Sequence, residues 1–362
     1  MHSEAIVKVE TAKVSMRDDT LATSYGPSVS MRDHVFVRIW SSSGEFGLGE
    51  ASPLPHFTGE MGDEIQRTID NALGPCIVGL NPFDIVLVED ALARGLPHHN
   101  TAKAAIITAI YDLAGKLLGL PVCQLLGGRL REEVELATGV GIGSVSAILT
   151  EIDQMVQRGI GTVKLKIGAD PHRDIEAIWA VRDKYPKLNI RADANQGYTP
   201  KVAMQVLREL ERANLQYVEQ PVAATDIRGL LTVSQATSVR VAADESLYSL
   251  RNALDLISLG AADVFVIKLI KTGGLRQARA IMELATAARI PCVIVSPYEG
   301  YLGLAADIHV VAASISCPWA AELGFGDRAL EDPVTGLCFG QGTVKVPLGP
   351  GLGVTLITDP FT

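Results

Sequence analysis

Four short runs decide the fold: IRADANQGY (190–198), LQYVEQP (215–221), VAADES (241–246) and DVFVIKLIKTGG (263–274). Each is an apolar stretch that ends on a charged residue, in turn Asp193, Glu219, Asp244 and Lys268, and successive charges lie about 25 residues apart. One strand-plus-helix unit of a (β/α)8 barrel takes about 25 to 30 residues, so the spacing predicts one charge at the end of each of four successive strands, on the face where barrel enzymes do chemistry. Upstream, TVKLKIG (162–168) puts Lys164 and Lys166 on one more such strand.

Working outward, strands are predicted near 134–141, 161–167, 188–194, 215–219, 239–244, 263–268, 291–296 and 318–323, with amphipathic helices between them such as DIEAIWAVRDKY (174–185) and LRQARAIMELATAAR (275–289). The first 50 residues read instead as β, alternating in IVKVETAKV (6–14) and HVFVRIW (34–40), before a turn in SSSGEFGLGEA (41–51). AKAAIITAIYDLAGKLLG (102–119) has a helical repeat that Gly119 and Pro121 should stop. Residues 1–128 are therefore expected to form an α+β domain and 129–324 the barrel. The Gly- and Pro-rich segment 325–362, with VKVPLGPGLGVTL (344–356), is expected to return to the first domain.

Composition narrows the function. A chain of 362 residues with 48% hydrophobic residues can bury a large core, and its 32 Lys+Arg against 41 Asp+Glu give a net charge of -9 with no basic cluster for phosphates. No nucleic-acid partner is expected. The first 20 residues are too charged for an export signal or a membrane anchor. Five cysteines without paired spacing suggest free thiols in a reducing, cytoplasmic compartment.

Side chains at i and i+2 of a strand share a face, so Lys164 and Lys166 should point into the barrel while Val163, Leu165 and Ile167 pack against helices. Burial and mutual repulsion should lower a lysine's pKa towards the value a general base needs. Asp193, Glu219 and Asp244 should converge at one mouth. Three carboxylates cannot all stay ionised there without a cation, and an all-oxygen donor set suits Mg²⁺ or Mn²⁺. Strands two and six lie roughly opposite in an eight-stranded barrel, which sets Lys166 and Lys268 on either side of that ion. Lys271, in the turn KTGG, reads as a solvated loop charge.

The ordered set of Lys-x-Lys in KLKIG, Asp-x-Asn in DANQ, EQP, ADES and IKxxKTGG resembles the enolase superfamily, and within its mandelate racemase/muconate lactonizing enzyme family the muconate-lactonizing subgroup. YDLAGKLLGLPVCQLLGG (111–128) is similar to that superfamily's capping-domain signature. The resemblance implies an α/β protein, a modified (β/α)7β barrel with an N-terminal capping domain, and a homo-oligomeric isomerase acting on a small carboxylate through a metal-stabilised enolate. By it, Lys166 is the main acid/base, Lys164 its neighbour, Lys268 the opposite acid/base, and Glu245 and Asn195 are backing residues. Asn195 either bonds a ligand carboxylate or makes an Asx-turn.

For the reaction itself, SPYEGYLG (296–303) and PWAAEL (318–323) are similar to segments of muconate cycloisomerases, and the Asp-x-Asp of dipeptide epimerases is absent at the latter. Cycloisomerisation of a muconate-like diacid is therefore expected first, and racemisation or epimerisation of an N-acyl amino acid, dipeptide or proline-like acid second. Substrate contacts are expected from Ser24 and Tyr25, from His56, Phe57 and Thr58, and from Tyr298, Glu299 and Glu322. Trp319 either packs in the barrel or walls the substrate.

Overall fold

The computed structural model describes residues 4–17, 21–26, 31–324 and 332–361. Its first layer is an antiparallel sheet of three strands, Ile6–Arg17, Met31–Ser41 and Phe46–Ala51, in sequence order. The turn expected over 41–51 is confined to its first half, because FGLGEA is itself a strand. Its glycines explain why. A Cβ on Gly47 would stand 2.0 Å from the Ala109 carbonyl, and one on Gly49 2.0 Å from that of Ala105. Helix Asn100–Leu118 thus lies directly on the sheet's backbone, and a left-handed Gly119 (φ 67°) ends it.

The second layer is the barrel. Seven parallel strands, Ala137–Val140, Thr162–Lys166, Asn189–Asp193, Leu215–Glu219, Val241–Ala243, Val264–Ile267 and Cys292–Ile294, pair strictly in sequence order. The eighth position, around 320–323, closes the ring through single bridges, Leu136 to Ala321 on one side and Val295 to Glu322 on the other. All eight expected strand positions are occupied, the last by bridges instead of a full strand.

Strand parity separates two apolar regions. Val163, Leu165, Phe265 and Ile267 join the large core between barrel and helices. Tyr217, Ala242, Val264, Val266, Val293 and Val295 form a second cluster inside the barrel, with Trp319 packed against it. Trp319 therefore packs in the barrel, against the Tyr217 ring at 6.2 Å, and the inner cluster forms a dry floor below the charged strand ends.

The C-terminal segment runs back across both layers. Thr343–Lys345 pairs antiparallel with Glu133–Glu135 beside the barrel. Buried Asp112, on the long helix of the first layer, accepts from Leu48 N–H (2.8 Å) and from Leu352 N–H (2.7 Å). All five cysteines are unpaired. Among the described residues no helix is long and apolar enough to cross a membrane.

Candidate active site

Backbone register fixes the order of the charges. Lys166 is the Cα partner of Asp193, and Asp193 that of Glu219, so strands two, three and four end level at one mouth. Asp244 follows strand five immediately, and Lys268 strand six. All of these groups are buried or nearly so, and Lys164, Lys166, Asp193, Asp244, Lys268 and Glu322 line a common cavity.

Each carboxylate is turned onto a lysine. Lys166 Nζ donates to Asp193 Oδ2 at 2.6 Å, Lys164 Nζ to Glu219 Oε2 at 3.2 Å, and Lys268 Nζ to Asp244 Oδ2. Burial alone would lower the pKa of Lys164 and Lys166, but the carboxylates around them outweigh it, and both ammonium groups sit above their ordinary value. The expected depression is absent for this reason. Among the acids, burial is outweighed by Lys166 and Lys164 at Asp193, and by Lys268 and Lys271 at Asp244, so both titrate below the usual range. Glu219 goes the other way. Buried and facing Asp193, it is pushed well above the carboxylate range.

Among the described residues, no three His, Cys, Asp or Glu side chains have their donors gathered for a metal ion, since the acids are spent on lysines. The donor set nevertheless fits a hard divalent cation: three carboxylates from neighbouring strand ends and no soft ligand. Glu219 carries the test. A fully buried acid whose charged form is disfavoured by burial and a neighbouring carboxylate lies in a site short of positive charge.

Lys271 is a correction. It is fully buried, and its ammonium donates to Asp244 Oδ1 (2.5 Å), to the Asp244 carbonyl (2.8 Å) and to the Val266 carbonyl (2.9 Å). Burial and the Lys268 charge, against the pull of Asp244, take it down to about 8. The expected loop is a helical turn, Leu269–Thr272. At i and i+3 across it, Lys268 and Lys271 face the same carboxylate, a spacing the sequence already carried.

Glu299 is the second correction. It does not reach the cavity. Tyr298 adopts a left-handed φ of 67°, which ends strand parity and turns Glu299 into a buried group facing Asp307 and Glu50 behind strand seven. Burial raises both acids, aided by Asp307 and Glu50 at Glu299; at Asp307 the neighbouring Glu299 pulls the other way and Glu50 adds to burial, leaving it at about 7.

The remaining expected residues divide. Tyr25, His56, Phe57 and Tyr298 line the cavity, whereas Ser24 and Thr58 do not. Ser24 Oγ is spent on the carbonyls of Ala194 (3.1 Å) and Asn195 (2.9 Å). The Phe57 ring stacks on Tyr248, a residue the sequence reading missed, and holds Lys268 Nζ 4.7 Å from its centroid. Glu322 lies at the cavity's base and accepts from Lys164 (2.5 Å), Arg191 (3.2 Å) and the Tyr217 hydroxyl (3.1 Å), so it braces Lys164. Asn195 accepts from Lys166 and donates to Glu245 (3.0 and 3.1 Å), and the Asx-turn belongs to Asp193, whose Oδ1 takes the Asn195 N–H at 2.9 Å. Leu21, Thr23, Leu54 and Pro297 also line the cavity, and only their place in loops already suspected could have marked them.

Comparison with known proteins agrees with this geometry. The family model described as mandelate racemase / muconate lactonizing enzyme, N-terminal domain, matches residues 6–127, and that described as enolase C-terminal domain-like matches 147–359. The chain is 31% identical over 356 residues to an L-Ala-D/L-Glu epimerase of Bacillus subtilis (strain 168), covering 96% of each. It is 30% identical to a chloromuconate cycloisomerase of Cupriavidus pinatubonensis, covering 89% of this chain and 88% of the relative. It superimposes on the crystal structure of an N-succinyl Arg/Lys racemase from Bacillus cereus ATCC 14579 with a TM-score of 0.92, at 30% identity, over 97% of this chain and 95% of that one. These relatives are isomerases of two kinds, epimerising or racemising and cycloisomerising. The chain belongs to the mandelate racemase/muconate lactonizing enzyme family of the enolase superfamily and is an isomerase.

Proposed function

We propose that the protein racemises or epimerises an N-blocked amino acid by moving the proton on the carbon alpha to its carboxylate. The observation that carries this reading is the placement of Lys166 and Lys268, which enter one cavity from strands two and six of an eight-position ring. Inversion requires a proton to leave one face of a carbon and arrive at the other. A lysine on each side does both.

In this reading Asp193, Glu219 and Asp244 hold a Mg²⁺ or Mn²⁺ ion, which supplies positive charge beside the oxygen where an enolate's negative charge develops. With the carboxylates committed to a cation, the offset that holds Lys166 above its ordinary value weakens, and burial can bring it towards neutrality. Lys164, braced by Glu322, keeps a positive charge beside the substrate carboxylate. Phe57 and Tyr248 form the wall on which Lys268 rests.

The rest of the cavity points to a neutral amino end. Among the described residues, its acids are Asp193, Asp244 and Glu322, and each is paired with a lysine. None is left to hold a free ammonium. The rim is formed by Leu21, Leu54, Phe57, Pro297 and Tyr298, with His56, whose burial beside Arg32 and Lys166 lowers its pKa and keeps it neutral.

Cycloisomerisation of a muconate-like diacid is the second reading. It is favoured by Glu322, which does line the cavity at the place where PWAAEL is similar to those enzymes. Its other support, SPYEGYLG, is weakened because Glu299 turns away. Incubation in D₂O with N-acyl amino acids and with muconate decides. Deuterium at the alpha carbon with inversion supports the proposal, and one deuterium on a lactone, with no exchange in any amino acid, overturns it. Chelation should abolish either activity, and Mg²⁺ or Mn²⁺ should restore it.

A further inference from the structure

Tyr25 lines the cavity with its ring, 5.2 Å from that of His56, yet its hydroxyl is spent elsewhere. The segment 21–26 carries it onto the barrel: Ile142 N–H donates to the Ala22 carbonyl (2.9 Å), and Thr23 and Gly26 pair across a turn (3.0 and 3.1 Å). From there a run of hydrogen bonds leads to Lys166, and each bond fixes the sense of the next.

Ala224 N–H donates to Gln196 Oε1 at 2.7 Å, which turns the Gln196 amide N–H towards Tyr25. Gln196 Nε2 donates to the Tyr25 hydroxyl at 2.5 Å, so that hydroxyl directs its own proton to Glu245 Oε1, also at 2.5 Å. The same Oε1 accepts from Asn195 Nδ2 at 3.1 Å, which leaves Asn195 Oδ1 to accept from Lys166 at 3.0 Å. Glu245 Oε2 is buried and has no partner, so Oε1 takes both donors. Without the tyrosine proton the carboxyl is held by Asn195 alone and is free to rotate, and the amide can flip with it.

We infer that Tyr25 is a positioning residue for Lys166: the first domain sets the aim of the barrel's acid/base through Glu245 and Asn195. A lysine ammonium on a four-carbon stem needs such a restraint, because misplacement of about 1 Å can cost about a hundredfold in rate. The kinetic part of the test rests on the reading of Lys166 given above; the structural part does not.

The test is Tyr25→Phe, which keeps the ring and removes the proton. Its crystal structure should show Asn195 rotated and the bond from Lys166 to Asn195 lost. In turnover, kcat should fall about ten- to a hundredfold with KM changed less than about threefold. Asn195→Ala should give the same loss, and the double variant no more than either alone. A Tyr25→Phe structure with the Lys166–Asn195 bond intact overturns the inference. So does a rise in KM at constant kcat that adds to the Asn195 effect, which is the behaviour of a tyrosine that binds substrate. If the bond is lost and no carboxylate substrate exchanges its alpha proton even in the unmodified protein, the inference stands and the proposed reaction fails.

Discussion

The strand-two and strand-six sides of the cavity each offer two lysines, but they use them differently. On strand two, Lys164 and Lys166 sit at i and i+2 and both reach Asp193 Oδ2, Lys166 at 2.6 Å and Lys164 at 3.4 Å, but Lys164 rests on Glu219 and Glu322 as well. On strand six, Lys268 and Lys271 share a single carboxylate, Asp244, from a helical turn. Lys166 and Lys268 line the cavity, Lys166 on Asp193 and Asn195 and Lys268 on Asp244. Lys164 and Lys271 are held by more: Lys164 touches three carboxylates, and Lys271 donates to three acceptors with no exposed surface. In the proposed reaction two amines would move protons and two would hold charge in place.

The largest expected effect breaks the first half of that contrast. Lys166→Ala and Lys268→Ala should each lower kcat by about 10²- to 10⁴-fold in steady-state turnover, the range for loss of a general acid or base, with the fold retained as read by circular dichroism. Comparable activity in either variant would remove that residue from proton transfer.

The second half is tested by Lys271→Met, which takes one ammonium from a buried pair and leaves two carbonyls without a donor. Breaking such a pair costs about 3–5 kcal/mol, and the two carbonyls left without a donor add to it, so the midpoint of denaturant unfolding should drop further than that of Lys268→Ala, which removes a bond to Asp244. Equal midpoints for the two variants would mean that Lys271 is not the structural member.

The smallest effect comes from acids that lack lysines altogether. Asp307 is raised to about 7 from an ordinary 3.8 by burial, while it faces Glu299 and lies near Glu50. The folded state therefore holds a proton that the unfolded chain releases first. Its contribution is complete below pH 3.8, shrinks as pH rises and is gone above about pH 7. Asp307→Asn should raise the unfolding temperature at pH 8 by a few degrees and do little at pH 4, as read by calorimetry at both pH values. A lower unfolding temperature at pH 8 would show that Asp307's surroundings stabilise its carboxyl instead of straining it.

The contrast also marks what the sequence could tell. A period of about 25 residues and strict parity located Lys164, Lys166, Asp193, Glu219, Asp244 and Lys268, because strand ends obey a local rule. Parity fails one step beyond the strand. After Lys268 the chain becomes a helical turn, so Lys271 is aimed by a period of 3.6; after Tyr298, one left-handed residue throws Glu299 to the other side. Loop residues such as Leu21 and Pro297 are placed by packing between the two domains, which no local pattern encodes. The glycines of FGLGEA read as a turn for the same reason: their purpose is to admit a helix about 55 residues further along the chain.

The central claim is that Lys166 and Lys268 serve opposite faces of one carbon. It is tested most directly by following alpha-proton exchange in D₂O for each enantiomer of one accepted substrate in the Lys166→Ala and Lys268→Ala proteins. The account predicts complementary results: each variant still exchanges the proton of one enantiomer, a different one in each, and neither interconverts them. Loss or retention of exchange for the same enantiomer in both variants would contradict it.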